Sequence, residues 1–212
     1  MKDFPVFTTE HGVASLILKE IPYQGTAYVI LRDSQEPEAL AQECADFCRV
    51  CGGSRIYATG HDVLAAYPFY TAMWEMTCIR ERMPDTDAAL WPVQEKTLAR
   101  WQSIYNGKVT KLPNGAWMTD ADGREMLRQG DGYFIHRGDV LLGIGRAAAD
   151  RIDWVASIVP GAGADVVKAL AHAATEDTIS LTVASVNQKA VSLYESLGFV
   201  RTREISRWYQ LR

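Results

Sequence analysis

The sequence predicts an α+β protein, a mixed sheet with helices inserted between its strands. Three observations predict it. Strand-length apolar runs and amphipathic helical stretches alternate along the 212 residues instead of segregating. Residues 132–159 hold three strand-like runs separated by tight polar turns, the pattern of an antiparallel meander. Residues 179–211 read as strand, helix, sharp exit and a return to extended chain.

The elements follow in order. Strands are expected at 13–19 and 26–31, turned around Gln24-Gly25. A helix over 36–51 has Pro37 in its first turn and is stopped by Gly52-Gly53. A short strand covers 55–59 and a longer extended segment 70–81. After Pro84 and a polar stretch, a helix runs over 92–105 and ends at Asn106-Gly107, with a further turn at Asn114-Gly115. A short helix covers 120–128, and strands follow at 132–136, 140–146 and 152–159. A helix at 165–175, a strand ending at Ala184, a helix opened by Asn187 and two strands at 199–204 and 206–211 complete the chain.

Composition narrows the function classes. Apolar residues make up 48% and charged residues 23%, as in ordinary globular proteins. The formal charge of −4 and the absence of a basic stripe exclude a general nucleic-acid binder. No apolar run reaches membrane-span length and the start has no signal-peptide core, so a cytoplasmic protein is expected and no membrane partner. The four cysteines then read as reduced thiols.

The stretch Asn187-Gln-Lys-Ala-Val-Ser-Leu-Tyr-Glu-Ser-Leu-Gly-Phe199 is the most specific in the chain. Asn187 stands where a helix begins, and Tyr194 lies two turns on along the same face. Gly198 supplies the left-handed residue that ends the helix. The stretch resembles the closing motif of the GNAT acetyltransferase superfamily, Asn-x-x-Ala-x-x-Leu-Tyr-x-x-x-Gly-Phe. The order of elements from Tyr70 onward is similar to that family as well, so the resemblance covers about the last two-thirds of the chain. It implies a GNAT acyl-CoA acyltransferase fold over 71–212, preceded by a partial unit over 1–70 made of a β-hairpin, a helix and a strand. Gly12 to Tyr28 and Gly138 to Trp154 span equal lengths, and each leads through a helix into a short strand. Residues 1–70 are therefore either a degenerate copy of part of the larger unit or an unrelated extension of its sheet.

The resemblance also implies a chemistry. Acetyl-CoA would be the co-substrate, with no metal, and the acceptor a primary amine of a small molecule or peptide. Transfer would be direct, without a covalent acyl-enzyme. Tyr194 would act as general acid on the departing thiolate, and Asn187 would touch the pantetheine. Read without the resemblance, Tyr194 is a half-buried aromatic of an amphipathic helix. The strand over 152–159 would pair its main chain with the pantetheine, through Ala156 and Ile158, one N–H polarising the acetyl carbonyl. The turn Pro160-Gly161-Ala162-Gly163-Ala164-Asp165 would hold the pyrophosphate, with Gly161, Ala162, Gly163 and Ala164 offering bare amides at a helix N-terminus. It is about three residues shorter than the family's glycine-rich turn, lacks its Arg or Gln, and has Asp165 where Gly or Ala is expected. Asp165 is therefore either an unfavourable charge beside a diphosphate or an N-cap. For the general base, the candidates are Asp153 at the start of the key strand and His136 at the end of its neighbour. Trp91, Trp101, Tyr105 and Trp117 would wall the acceptor region, with Glu95, Asp120, Asp122 and Glu125 available to attract an amine.

Two further patterns are set aside. Cys44, Cys48 and Cys51 have an iron–sulfur spacing but fall on one apolar helix stripe with Leu40 and Phe47. Arg137-Gly138-Asp139 reads as a hairpin turn. The alternative to an enzyme is a non-catalytic GNAT-fold binding module with an impaired CoA site. The oligomeric state stays open, a homodimer being compatible with the sequence.

Overall fold

The structure, a computed structural model, describes residues 5–211. They divide into two units, one of residues 5–73 with 204–211 and one of residues 74–203. The expected division at residue 70 placed all of 71–212 together. In the structure the last residues join the first unit, because Tyr209, Gln210 and Leu211 pair with a strand of that unit.

The first unit contains β1 (Val6–Thr9), β2 (Gly12–Ile17), a short helix α1 (Ile21–Gln24), β3 (Thr26–Ser34), α2 (Pro37–Val50) and β4 (Arg55–Thr59). A 3₁₀ turn at Asp62–Ala66 leads into β5 (Phe69–Ile79), whose first half belongs here with the second half of β11 (Val200–Leu211). The strand order is β1-β2-β3-β4-β11-β5. The α2 stripe of Leu40, Ala41, Cys44, Ala45 and Cys48 is buried, in one cluster with Ala14, Leu16, Ala27 and Val29. Helical spacing predicts that stripe, and burial of apolar surface holds it.

The second unit contains β6 (Ala89–Pro92), α3 (Glu95–Val109), α4 (Asp120–Gln129), β7 (Gly132–Arg137), β8 (Val140–Ala148) and β9 (Arg151–Ser157). It continues with α5 (Gly163–Ala173), β10 (Thr178–Ala184) and α6 (Gln188–Ser196). Its order is β6-β7-β8-β9-β10-β5-β11, antiparallel from β6 to β9 and parallel between β9 and β10. Two expectations are corrected here. The segment expected at 70–81 is not the strand that opens this unit: β6 fills that place, and β5 lies between β10 and β11. The two expected closing strands are the single strand β11.

The two orders repeat. In one unit a parallel pair, β3 and β4, flanks α2 and follows a two-strand meander; in the other β9 and β10 flank α5 and follow β7 and β8. In the first unit β4 is followed by β11 and then β5, and in the second β10 is followed by β5 and then β11. Of the two alternatives for residues 1–70, this repeated order is the pattern that a duplicated unit would give.

Side-chain parity on β8 positions the helices. Gly143 and Gly145 face α5: a Cβ on Gly143 would lie 2.7 Å from Val166 Cγ2, and one on Gly145 2.3 Å from Leu170 Cδ1. On the opposite parity, Ile144 packs with Phe134, Trp154 and the α3 residues Leu98 and Trp101. Gly143→Val is expected to destabilise the protein by about 1–3 kcal/mol by overpacking, read as a lower denaturant midpoint. An unchanged midpoint would show that α5 can retreat freely.

Candidate active site

The site begins with a separation between two strands. β9 and β10 pair at two positions only, Arg151 with Ser180 and Ile152 with Leu181. Beyond them β9 carries a bulge, since Ile152 opposes Ala147 and Trp154 opposes Arg146, leaving Asp153 unpaired. An extra residue bends a strand and increases its twist. From Asp153 onward β9 has one edge on β8 and the other without a strand partner. The equivalent pair in the first unit, β3 and β4, stays joined over five positions from Thr26–Arg55 to Ile30–Thr59. That pair leaves no such gap.

Parity decides which amides face the gap. Ile158 N–H donates to Leu142 O at 2.7 Å and so points to β8. Main-chain groups alternate sides along a strand, which places Ala156 and Trp154 on β8 as well. Val155 and Ser157 are left on the open edge. The expectation of Ala156 and Ile158 is therefore off by one residue: both amides belong to the β8 ladder. The sequence held no signal for this parity, because a strand's period of two fixes it only relative to a known neighbour.

The turn after β9 leads straight into α5. Gly161 has φ 84°, the left-handed region. Ala162 is the N-cap, buried, with its N–H given to Val159 O at 3.2 Å, so this amide is not bare as expected. The first intrahelical bond runs from Val166 to Ala162, so Gly163, Ala164 and Asp165 are the first-turn amides without an intrahelical acceptor. Together with the helix dipole they form the anion-binding end of α5. A Cβ on Gly163 would lie 3.0 Å from Leu193 Cδ2 of α6, so a larger residue there would displace the end of that side chain.

Asp165 is neither an N-cap nor an uncompensated charge. It lies on the third residue of α5, with its carboxylate 3.0 Å from Arg137 Nη2. Arg137 also holds Asp87 at 2.7 Å. Thr86 Oγ1 donates to Asp165 at 3.4 Å. The Arg137-Gly138-Asp139 turn, with Gly138 at φ 55°, therefore supplies the cation that offsets Asp165. The sequence shows only the turn.

Asn187 caps α6, its Oδ1 accepting from Ala190 N–H at 3.3 Å. Gly198 has φ 89° and ends the helix. Tyr194 is only 6% exposed, sits in one core cluster with Val166, Leu197 and Phe199, and has its ring centroid 5.9 Å from that of Phe199. Burial pushes its phenol up to about 12. The group is therefore neutral and a proton donor throughout the physiological range.

The remaining candidates are placed as follows. Asp153 is bonded to Arg151 Nε at 2.6 Å in an exposed ion pair. His136 stacks on Trp91, ring centroids 4.9 Å apart. Trp101 and Tyr105 are core residues, clustered with Trp154. Asp122 serves the Thr119 capping box, Asp120 accepts from Gln102, and Glu125 pairs with Arg128. Cys44 and Cys48 are fully buried, pushed up to about 12 and about 11 by burial, while Cys51 is exposed. Among the described residues no group of three His, Cys, Asp or Glu could hold a metal ion, and no helix is long and apolar enough to cross a membrane.

No protein-family model and no curated protein sequence matches this chain. Solved structures do. One is a functionally unknown conserved protein from Staphylococcus epidermidis ATCC 12228, 10% identical, with a TM-score of 0.63 over 98% of this chain and 93% of that one. Another is a GCN5-related N-acetyltransferase from Sphaerobacter thermophilus, 10% identical, with a TM-score of 0.59 over 94% of this chain and 76% of that one. A third is a tandem GNAT protein from the clavulanic acid biosynthesis pathway, 12% identical, with a TM-score of 0.55 over 95% of this chain and 78% of that one. The chain has the GNAT acetyltransferase fold. At these identities the likeness concerns the fold.

Proposed function

We propose that this chain is an N-acyltransferase that moves an acetyl group from acetyl-CoA to a primary amine of a small molecule or peptide. The observation that carries the reading is the early separation of β9 from β10, with the open-edge amides of Val155 and Ser157 running toward the free amides of α5. Bound acetyl-CoA supplies the reactive thioester. Val155 or Ser157 N–H donates to the thioester carbonyl and to the developing oxyanion, a role worth several kcal/mol where water is excluded. The amides of Gly163, Ala164 and Asp165 hold the pyrophosphate, and Arg137 removes the penalty that the Asp165 carboxylate would impose. Tyr194 delivers a proton to the departing sulfur. Asp153, held by Arg151, is the candidate that takes the proton of the attacking amine.

Titration with acetyl-CoA tests the reading. Micromolar binding is expected, with a thermal upshift corresponding to about 2.7 kcal/mol at a hundredfold excess over Kd. A second reading, a non-catalytic binding module of this fold, is favoured by the near-complete burial of Tyr194. No shift at millimolar acetyl-CoA would select it. In the cell we place the protein in the cytoplasm.

A further inference from the structure

The second unit has a cavity of about 480 Å³ that no step above uses. Trp91, Phe134 and His136 form its flat apolar walls, and Lys96 and Arg100 its polar side. Trp91 is 57% exposed, a large aromatic surface for a residue in a strand of four. Its ring stacks on His136, 23° from parallel, so the imidazole holds one face of the indole and the other is open. Phe134 is buried beneath them. Lys96 and Arg100 are four residues apart on α3 and so share a face of that helix. Among the described residues neither has an ion-pair partner, and no carboxylate lines the cavity. The whole chain is acidic, at −4, so this positive lining is not a background property of its surface.

Register ties the cavity to the gap. Gly143 of β8 opposes Ile135 on one side and Ser157 on the other. Two strand spacings, roughly 10 Å, therefore separate the Ile135 level of β7 from the open amide of Ser157. His136 is the next residue beyond Ile135. The cavity and the open edge of β9 lie at the same end of this sheet.

We propose that the Trp91–His136 cavity binds the far end of the acceptor, a flat apolar group that carries a carboxylate or phosphate. The flat group stacks on Trp91, and the anion bonds to Arg100 and Lys96. That the occupant is the acceptor rests on the acyltransferase reading; that the cavity binds such a group does not.

Calorimetric titration of the full chain with indole-3-propionate and with its uncharged analogue indole-3-propanol tests it. The carboxylate is expected to bind about 10-fold tighter than the alcohol. Arg100→Ala should abolish that preference, and Trp91→Ala should weaken both probes, with unchanged circular dichroism since both side chains are exposed. Equal affinity for the two probes, or no binding of either at about 10 mM, would overturn the inference. The acetyl-CoA titration reads the gap separately. Probe binding without acetyl-CoA binding removes the acceptor role and keeps the cavity as a site. Acetyl-CoA binding without probe binding removes this inference alone.

Discussion

Tyr194→Phe is expected to lower the turnover of acetyl transfer by roughly 10²-fold while the protein stays folded. The substitution deletes one oxygen from a side chain that is already packed against Phe199 and Val166, so the core is kept. A phenol pushed up to about 12 is a weak acid beside a thiol in water, whose ordinary value is about 8.5. Apolar surroundings raise thiols too, and this chain gives the scale: burial pushes Cys44 up to about 12 and Cys78 up to about 11. A thiolate leaving beside Tyr194 would be a correspondingly stronger base, which brings the two groups toward a matched pair. A kcat within about threefold of wild type at saturating acetyl-CoA would remove Tyr194 from the chemistry. The same variant has a readout without substrate. The folded value of Tyr194 lies above its ordinary 10.0, so the folded state keeps a proton that the unfolded chain releases. Its contribution to stability is whole below about pH 10 and is lost as pH rises through about 12, by ~3 kcal/mol. Buried Tyr28 is shifted in the same direction, so the difference between wild type and Tyr194→Phe isolates Tyr194. Parallel alkaline unfolding curves for the two proteins would show that the phenol is solvated.

What could be read from the sequence was local. The N-cap at Asn187 and the left-handed Gly198 are fixed by residues within one turn, and both stand where the spacing predicts. The helix α3 was harder, since Asn106-Gly107 reads as its end. It continues to Val109 because the Asn106 side chain is buried and bonds the main chain of Met118 on both sides, at 3.0 and 2.9 Å. A tertiary contact there outweighs propensity. β6 leaves little trace in the sequence because four residues ending in Pro92 give almost no alternation, and an edge strand tolerates that proline. The sequence reads as two strands on either side of Ile205, whereas β11 runs through it as one. The neighbours of β5 were beyond any local pattern. Chain order suggested the start of the second unit's sheet, whereas pairing puts the strand beside β10, and only strand registers carry that information. The site was legible to the same extent. Tyr194, Asn187, Gly163 and Ala164 are candidates through the family resemblance, but the compensation of Asp165 by Arg137 joins residues from distant turns.

Replacing single amides of β9 by proline separates function from fold, and the outcome depends on parity. Val155→Pro and Ser157→Pro remove N–H groups that face the open edge and leave the β8 ladder intact. Proline is tolerated where a strand's N–H has no ladder partner. Each is expected to lower turnover with acetyl-CoA by roughly 10²-fold, the scale for deleting one preorganised oxyanion or positioning donor, with little change in the denaturant midpoint. Ala156→Pro removes an N–H directed at β8, opposite Ile144. It is expected to act on the fold instead, costing about 1–3 kcal/mol for the orphaned carbonyl and the ring that cannot fit the ladder. If Ala156→Pro proved the folded but inactive variant while the other two unfolded, the parity would be inverted and Ala156 and Ile158 would be the gap-facing positions after all. If all three variants stayed folded and fully active, the open edge of β9 would have no part in binding a thioester. The contrast does not depend on knowing the amine, because acetyl-CoA affinity and the hydrolysis of its thioester can both be followed without an acceptor. It therefore tests the assignment at the point where the second unit differs from the first: strands that part after two pairs in one, and stay joined through five in the other.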